Sequence, residues 1–290
     1  MLRMESETGW WLITHPDHAR LAGQFATAWG NVQFRKPEPR DRVLKGIACH
    51  DDGWAVRDAH PSITRHGKPS AFSTELVGKY AAFEEIDIED YLAVRDRAVR
   101  IIAEQDPYAG LLISMHTYSL LTEHADRSTI TPDGLVLLDA FLERQRANQA
   151  ELRAQIQADA KLTGIEKSEQ SILEHFRLLQ ACDNLSLLTC VSFSSPAHLL
   201  HPLPLNNGDN SEVLVVPTGP RQFRLAPWPF PEPEMTFKFP ARHVEGKIFP
   251  SAQALDDAYL AAPIEQLNVT LTNQGSSPGV PHAYAFGNPA

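Results

Sequence analysis

Four segments with the period of an α-helix each place an ionisable side chain on an otherwise apolar face. Any fold that buries those faces must also find partners for the polar groups. In "HPDHARLAGQFATAWG", the stripe Leu21, Ala22, Phe25, Ala28 and Trp29 continues back to His18. In "RVLKGIACHDDGW", Val43, Ile47 and His50 share one face at i, i+4, i+7, and Leu44, Ala48 and Asp51 share the next. Leu112, His116 and Ser119 or Leu120 repeat the pattern in "YAGLLISMHTYSLLTEHA", as do Ile172, Phe176, Leu179 and Asp183 in "ILEHFRLLQACDNLSLLTC". An unpaired buried carboxylate or imidazole costs several kcal/mol, and a divalent cation satisfies several at once. Mixed imidazole nitrogen and carboxylate oxygen suit Mn, Fe, Co or Zn, with Mg also accommodated, as one or two ions. His18, His50, Asp51, His116 and Asp183 are the candidate metal ligands.

Start and stop signals frame these helices. Thr14 is an expected N-cap, with Pro16 and Asp17 in the first turn, and Gly53 is expected to end the second helix, about 41–52. Residues 55–87 carry little periodicity and read as a long loop, which inside a compact domain is usually functional. Helical patterns return at about 88–105, after Pro107, after Thr131-Pro132 and at about 167–192. Beyond Phe193 a proline- and asparagine-rich stretch leads to strand-like segments, "EVLVV", "QFRL", "MTFKFPARHV" and "QLNVTLT". "WWLIT" at 10–14 is a further short strand that would join them. The organisation read from this pattern is a helical metal-binding domain over 1–193, a small antiparallel β appendage over 194–273 and a disordered tail over 274–290. The appendage would cover the site or mediate a homodimer.

Composition narrows the partners. Twenty-six basic against thirty-six acidic residues give a net charge of −10. With no basic patch, nucleic acid and anionic membrane are excluded as partners, which leaves a small-molecule substrate. No apolar run approaches the roughly 20 residues that span a bilayer, and no signal-peptide core is present, so a cytoplasmic location is expected. Three cysteines, none in a CxxC pair, imply reduced thiols rather than a disulfide framework. Neither a P-loop nor a GxGxxG fingerprint occurs.

The order His18, His50-Asp51, Asp183 resembles the H…HD…D pattern of the HD-domain superfamily of metal-dependent phosphohydrolases, over about residues 10–193. The stretches "ITHPDHARLAGQFATAWG", "IACHDDGW", "YAGLLISMH" and "LLQACDNLSLL" are similar, over about 10–270, to a bacterial family described as a domain of unknown function. The superfamily resemblance implies a mainly α, HD-domain-like helical bundle and hydrolysis of a small or nucleotide-like phosphoester by a metal-activated water. His18, His50, Asp51 and Asp183 would then bind the first ion, and His116 a second ion or the substrate. Many superfamily hydrolases place a lysine soon after the HD pair, whereas here the next lysine is Lys68. Under the resemblance, Asp52 or Asp58 would orient the water, and Arg57 and Lys68 would meet the phosphate. Two alternatives keep other chemistry open: an HD-type di-iron oxygenase, and a non-catalytic small-molecule binding domain whose polar residues form a hydrogen-bonded core.

Overall fold

The computed structural model describes residues 1–78 and 86–274, so residues 79–85 of the expected 55–87 loop and residues 275–290 of the expected tail lie outside the described residues. Two N-terminal strands, β1 (Leu2–Glu5) and β2 (Gly9–Ile13), precede α1 (His15–Ala28). Thr14 caps α1 as expected, its hydroxyl accepting from the Asp17 amide at 3.1 Å. Then come α2 (Arg40–Cys49), a 3-10 turn at Asp52–Trp54, the single-turn α3 (Ala55–Asp58), α4 (Ile88–Ala103), α5 (Pro107–Glu123), α6 (Pro132–Ala158) and α7 (Glu169–Cys190). Asp87, Asp106, Thr131 and Ser168 cap the last four through side-chain oxygens, so each long helix begins where a capping residue meets an apolar stripe. The chain finishes with β3 (Ala197–His198), β4 (Leu203–Pro204), β5 (Asn210–Ser211), β6 (Leu214–Gly219), β7 (Gln222–Ala226), β8 (Glu234–Glu245), α8 (Ala252–Ala261) and β9 (Ile264–Thr272).

Strand pairing corrects the mainly α expectation. The protein is 48% helical and 20% strand, and seven strands form one curled sheet in the order β1-β2-β8-β9-β7-β6-β3. It is neither all-α nor an HD-like bundle with a small appendage. All neighbours are antiparallel except β7 and β9, which run parallel. β2 pairs with β8 in the register Trp10 to Val244 and Leu12 to Arg242, which makes the first residues of the chain part of a sheet built mostly from the last. The strand expected at 10–14 does join the later strands, but local periodicity reports neither register nor sheet size, and β1 and α8 fall below the length at which pattern alone identifies an element.

The sheet packs on the helices through one face. Phe237, Phe239 and Ala241 of β8 and Leu267, Val269 and Leu271 of β9 alternate with exposed residues and join the same apolar cluster as Leu21, Phe25, Ile47, Leu112 and Leu179. Phe25 of α1 meets Phe237 edge to face at 4.8 Å between centroids. Trp10, Leu12 and Val244 turn to the other face, under Leu255 and Tyr259 of α8. One apolar cluster thus contains residues from both segments that the pattern reading separates at 193. The three cysteines are free, with Cys182 and Cys190 buried. No helix among the described residues is long and apolar enough to cross a membrane.

Candidate metal centre

α2 stops at Cys49, earlier than the sequence reading placed it, and His50 and Asp51 lie on the tight turn that follows. Gly53 does not end the helix. It sits beneath α4, where a Cβ would fall 2.2 Å from the Val94 carbonyl oxygen, so only glycine lets the turn approach that closely. The turn aims His50 and Asp51 at α1, α5 and α7. His18 comes from the first turns of α1, His116 from the middle of α5 and Asp183 from the middle of α7. All five are buried. His18 Nε2 lies 3.0 Å from Asp51 Oδ2, His50 Nε2 lies 3.2 Å from Asp183 Oδ1 and 3.8 Å from Asp51 Oδ2, and His116 Nε2 lies 3.8 Å from Asp183 Oδ2. Two donor sets, His18/His50/Asp51 and His50/His116/Asp183, each bring their ligand atoms within 4.8 Å of one another.

Outer hydrogen bonds fix how the imidazoles present themselves. The Ser186 hydroxyl donates to the Asp183 carbonyl oxygen at 2.8 Å, so at 2.9 Å it accepts from His18 Nδ1–H. His50 Nδ1–H donates to the Ile47 carbonyl oxygen at 2.7 Å. In each neutral ring Nε2 then carries a lone pair, and each lone pair faces a carboxylate oxygen. For His50 the approach to Asp183 is off the line of a hydrogen bond, which leaves Nε2 without a partner. Lone pairs aimed at carboxylates repel unless a proton or a metal cation stands between them.

The electrostatics follow from this crowding. Burial alone would lower the His50 pKa, but Asp51 and Asp183 outweigh it and raise it to about 9. Burial likewise opposes ionisation of Asp183, yet His50 holds its pKa down at about 2, and Arg95 with His50 keeps Asp51 well below the usual carboxylate range. His116, whose burial is only partly offset by Asp183, drops to about 3 and stays neutral. Its Nδ1 is a second sealed imidazole nitrogen without a partner. At neutral pH the cluster therefore has two ionised carboxylates, with a proton on His50 beside them.

The remaining sequence candidates take other positions. Asp52 turns outward to Arg20, with Oδ1 and Oδ2 at 2.9 and 3.0 Å from its guanidinium. Asp58 accepts from the His15 amide at 2.5 Å and from the Met1 amino group at 2.9 Å. It reaches the cluster only through the His15 ring, whose centroid is 5.9 Å from that of His18. Lys68 sets its ammonium over the Trp10 ring, 5.8 Å from the centroid and on the sheet side. Among the described residues no side-chain contact joins Arg57 to the cluster. His175 bonds the Tyr108 hydroxyl at 2.8 Å instead of approaching Asp183.

Sequence reasoning missed Arg95, Trp54 and Ser186. The Arg95 Nη1 lies 2.5 Å from Asp51 Oδ1, and its guanidinium stands over the Trp54 and Tyr91 rings at 5.4 and 5.2 Å. A signal was present, since Arg95 shares the α4 stripe with Ala98, Val99 and Ile102, all buried.

Fold and site together define an α/β protein in which a curled sheet packs on the helices, and α1, α5, α7 and the turn after α2 bring three histidines and two aspartates into one buried cluster. The chain belongs to the family described as "Protein of unknown function (DUF3891)", whose model matches residues 1–246. No curated protein and no solved structure matches it.

Proposed function

We propose that the protein is a metal-dependent phosphohydrolase acting on a small or nucleotide-like phosphoester. The observation that carries this reading is the pair of inward Nε2 atoms, on His18 and His50, each held near a carboxylate oxygen while Nδ1 makes an outer hydrogen bond. Histidine ligands are oriented in this way by hydrogen bonding at the opposite nitrogen. Asp51 and Asp183 supply the anionic oxygens and His116 a further nitrogen. The two donor sets share His50, whose single free lone pair serves one ion, and so they read most simply as one site. The order His18, His50-Asp51, Asp183 resembles that of HD-domain phosphohydrolases and supports hydrolysis, although the seven-stranded sheet departs from that superfamily's bundle.

When bound, a divalent ion supplies Lewis acidity, acidifying water and polarising a phosphoryl oxygen. The chain's own contribution is to exclude bulk solvent and to hold both carboxylates ionised. Elemental analysis of purified protein tests the reading, with about one equivalent of divalent metal per chain expected from the shared His50. His50→Ala and Asp183→Ala are expected to lose it together with phosphatase activity on p-nitrophenyl phosphate. Metal content unchanged in both variants refutes the ligand assignment, and iron with oxygen consumption in place of phosphate release refutes the hydrolase.

A further inference from the structure

Among the described residues Arg95 is the one guanidinium that touches the cluster, and its surroundings are unusual for a structural ion pair. Its side chain is 8% exposed. The aromatic faces of Trp54 and Tyr91 hold it, leaving the in-plane donors free to make hydrogen bonds. Among the described residues it donates only through Nη1 to Asp51 and through Nε to the Tyr91 hydroxyl at 3.2 Å. Nη2, with two N–H groups, has no hydrogen-bond acceptor among the described residues, and it is not one of the sealed unpartnered atoms, so it reaches solvent. A buried guanidinium whose role was to neutralise Asp51 would be expected to have its remaining donors satisfied by backbone or side-chain oxygens.

We infer that Arg95 is the oxyanion-recognising residue of this site, with Nη2 donating to a phosphate or carboxylate group of the substrate. The inference rests on the metal-site reading above. Asp51 connects the two functions. Its Oδ1 holds Arg95, while its Oδ2 faces His18 and His50, so the guanidinium stands one carboxylate away from the proposed ion. Charge points the same way. The two carboxylates cancel a divalent ion, and the guanidinium then leaves the loaded cluster with one positive charge in excess, in a protein whose net charge is −10. An anionic substrate group would be drawn to that local excess, and the planar donor fork of arginine matches phosphate and carboxylate oxygens. Arg95 thus takes the phosphate-binding role first assigned to Arg57 and Lys68.

The test is calorimetric titration of manganese-loaded protein with inorganic phosphate, and with acetate in a second arm, after manganese has been counted in each variant. Wild-type protein is expected to bind phosphate. Arg95→Gln is expected to keep its manganese and lose about tenfold to a hundredfold in phosphate affinity, the range for a hydrogen bond to a charged group. Arg95→Lys keeps the charge without the fork and serves if the glutamine variant fails to fold; it should lose at least about threefold. Equal affinity for the bound anion in wild type and variant, or binding of neither phosphate nor acetate by loaded wild type, overturns the inference. Acetate binding with the same dependence on Arg95 supports it and points to a carboxylate-bearing substrate. Wild-type protein that takes up no manganese refutes the metal reading itself, before phosphate is added.

Discussion

Metal and proton should compete for His50, and the competition can be followed by pH. In metal-free protein the folded-state pKa of His50 is about 9 against 6.5 for the ordinary residue. Below about pH 6.5 both folded and unfolded chains are protonated, and the full stabilisation from Asp51 and Asp183 is present. As pH rises toward 9 it is lost, by about 3 kcal/mol at roughly 1.4 kcal/mol per pH unit. The buried Met1 amino group, whose pKa burial pushes down, acts in the opposite direction up to its ordinary value of 8.0. The quantity to measure is therefore the difference between wild type and His50→Gln, from urea denaturation in chelator at intervals between pH 6.5 and 9. A bound divalent ion replaces the proton, so apparent metal affinity should rise about tenfold per pH unit up to 9, with one proton released per ion. Calorimetry between pH 7 and 8.5 in two buffers of different ionisation enthalpy reads that release. Flat metal affinity across this range, or a His50→Gln protein with the wild-type pH dependence of stability, would refute the reasoning.

Two further outcomes follow from the packing. Asp51→Asn leaves Arg95 buried beside a neutral amide and should cost about 3–5 kcal/mol in metal-free protein. Adding Arg95→Met should recover part of that loss in thermal melts, and a strictly additive double variant would show that the two do not interact. Phe25→Ala removes the ring that joins α1 to β8 and should cost about 3–5 kcal/mol in a single unfolding transition. Two separated transitions in wild-type protein would instead show that sheet and helices are independent units.

Legibility in the sequence tracked how far each signal extends along the chain. His18, His50, Asp51, His116 and Asp183 stood out because a helical stripe makes a polar intruder visible, and the structure brings all five together. Asp52, Arg57 and Lys68 had only nearness in sequence to recommend them, in a segment with no period to fix direction, and none of their side chains reaches the cluster. Arg95 lay on a readable stripe, but a long cationic side chain on an apolar face is ordinarily taken to extend its head to water. The strands from "QFRL" to "QLNVTLT" were visible one at a time as β7, β8 and β9. That "WWLIT" joins them was legible too, and β2 does pair with β8, whereas β1, the register and the seven-strand order were not, because pairing across the length of the chain is decided by tertiary packing.

That pairing has a consequence for biosynthesis. His18 follows β2 by five residues, and β2 is anchored by β8, which leaves the ribosome more than two hundred residues later. Closing so large a loop is slow, and the nascent helices must wait with their apolar faces open until the final strands emerge. The imidazoles and acids of the early helices therefore acquire their native spacing only near the end of translation, and the metal binding proposed above would be a late event in the maturation of the polypeptide.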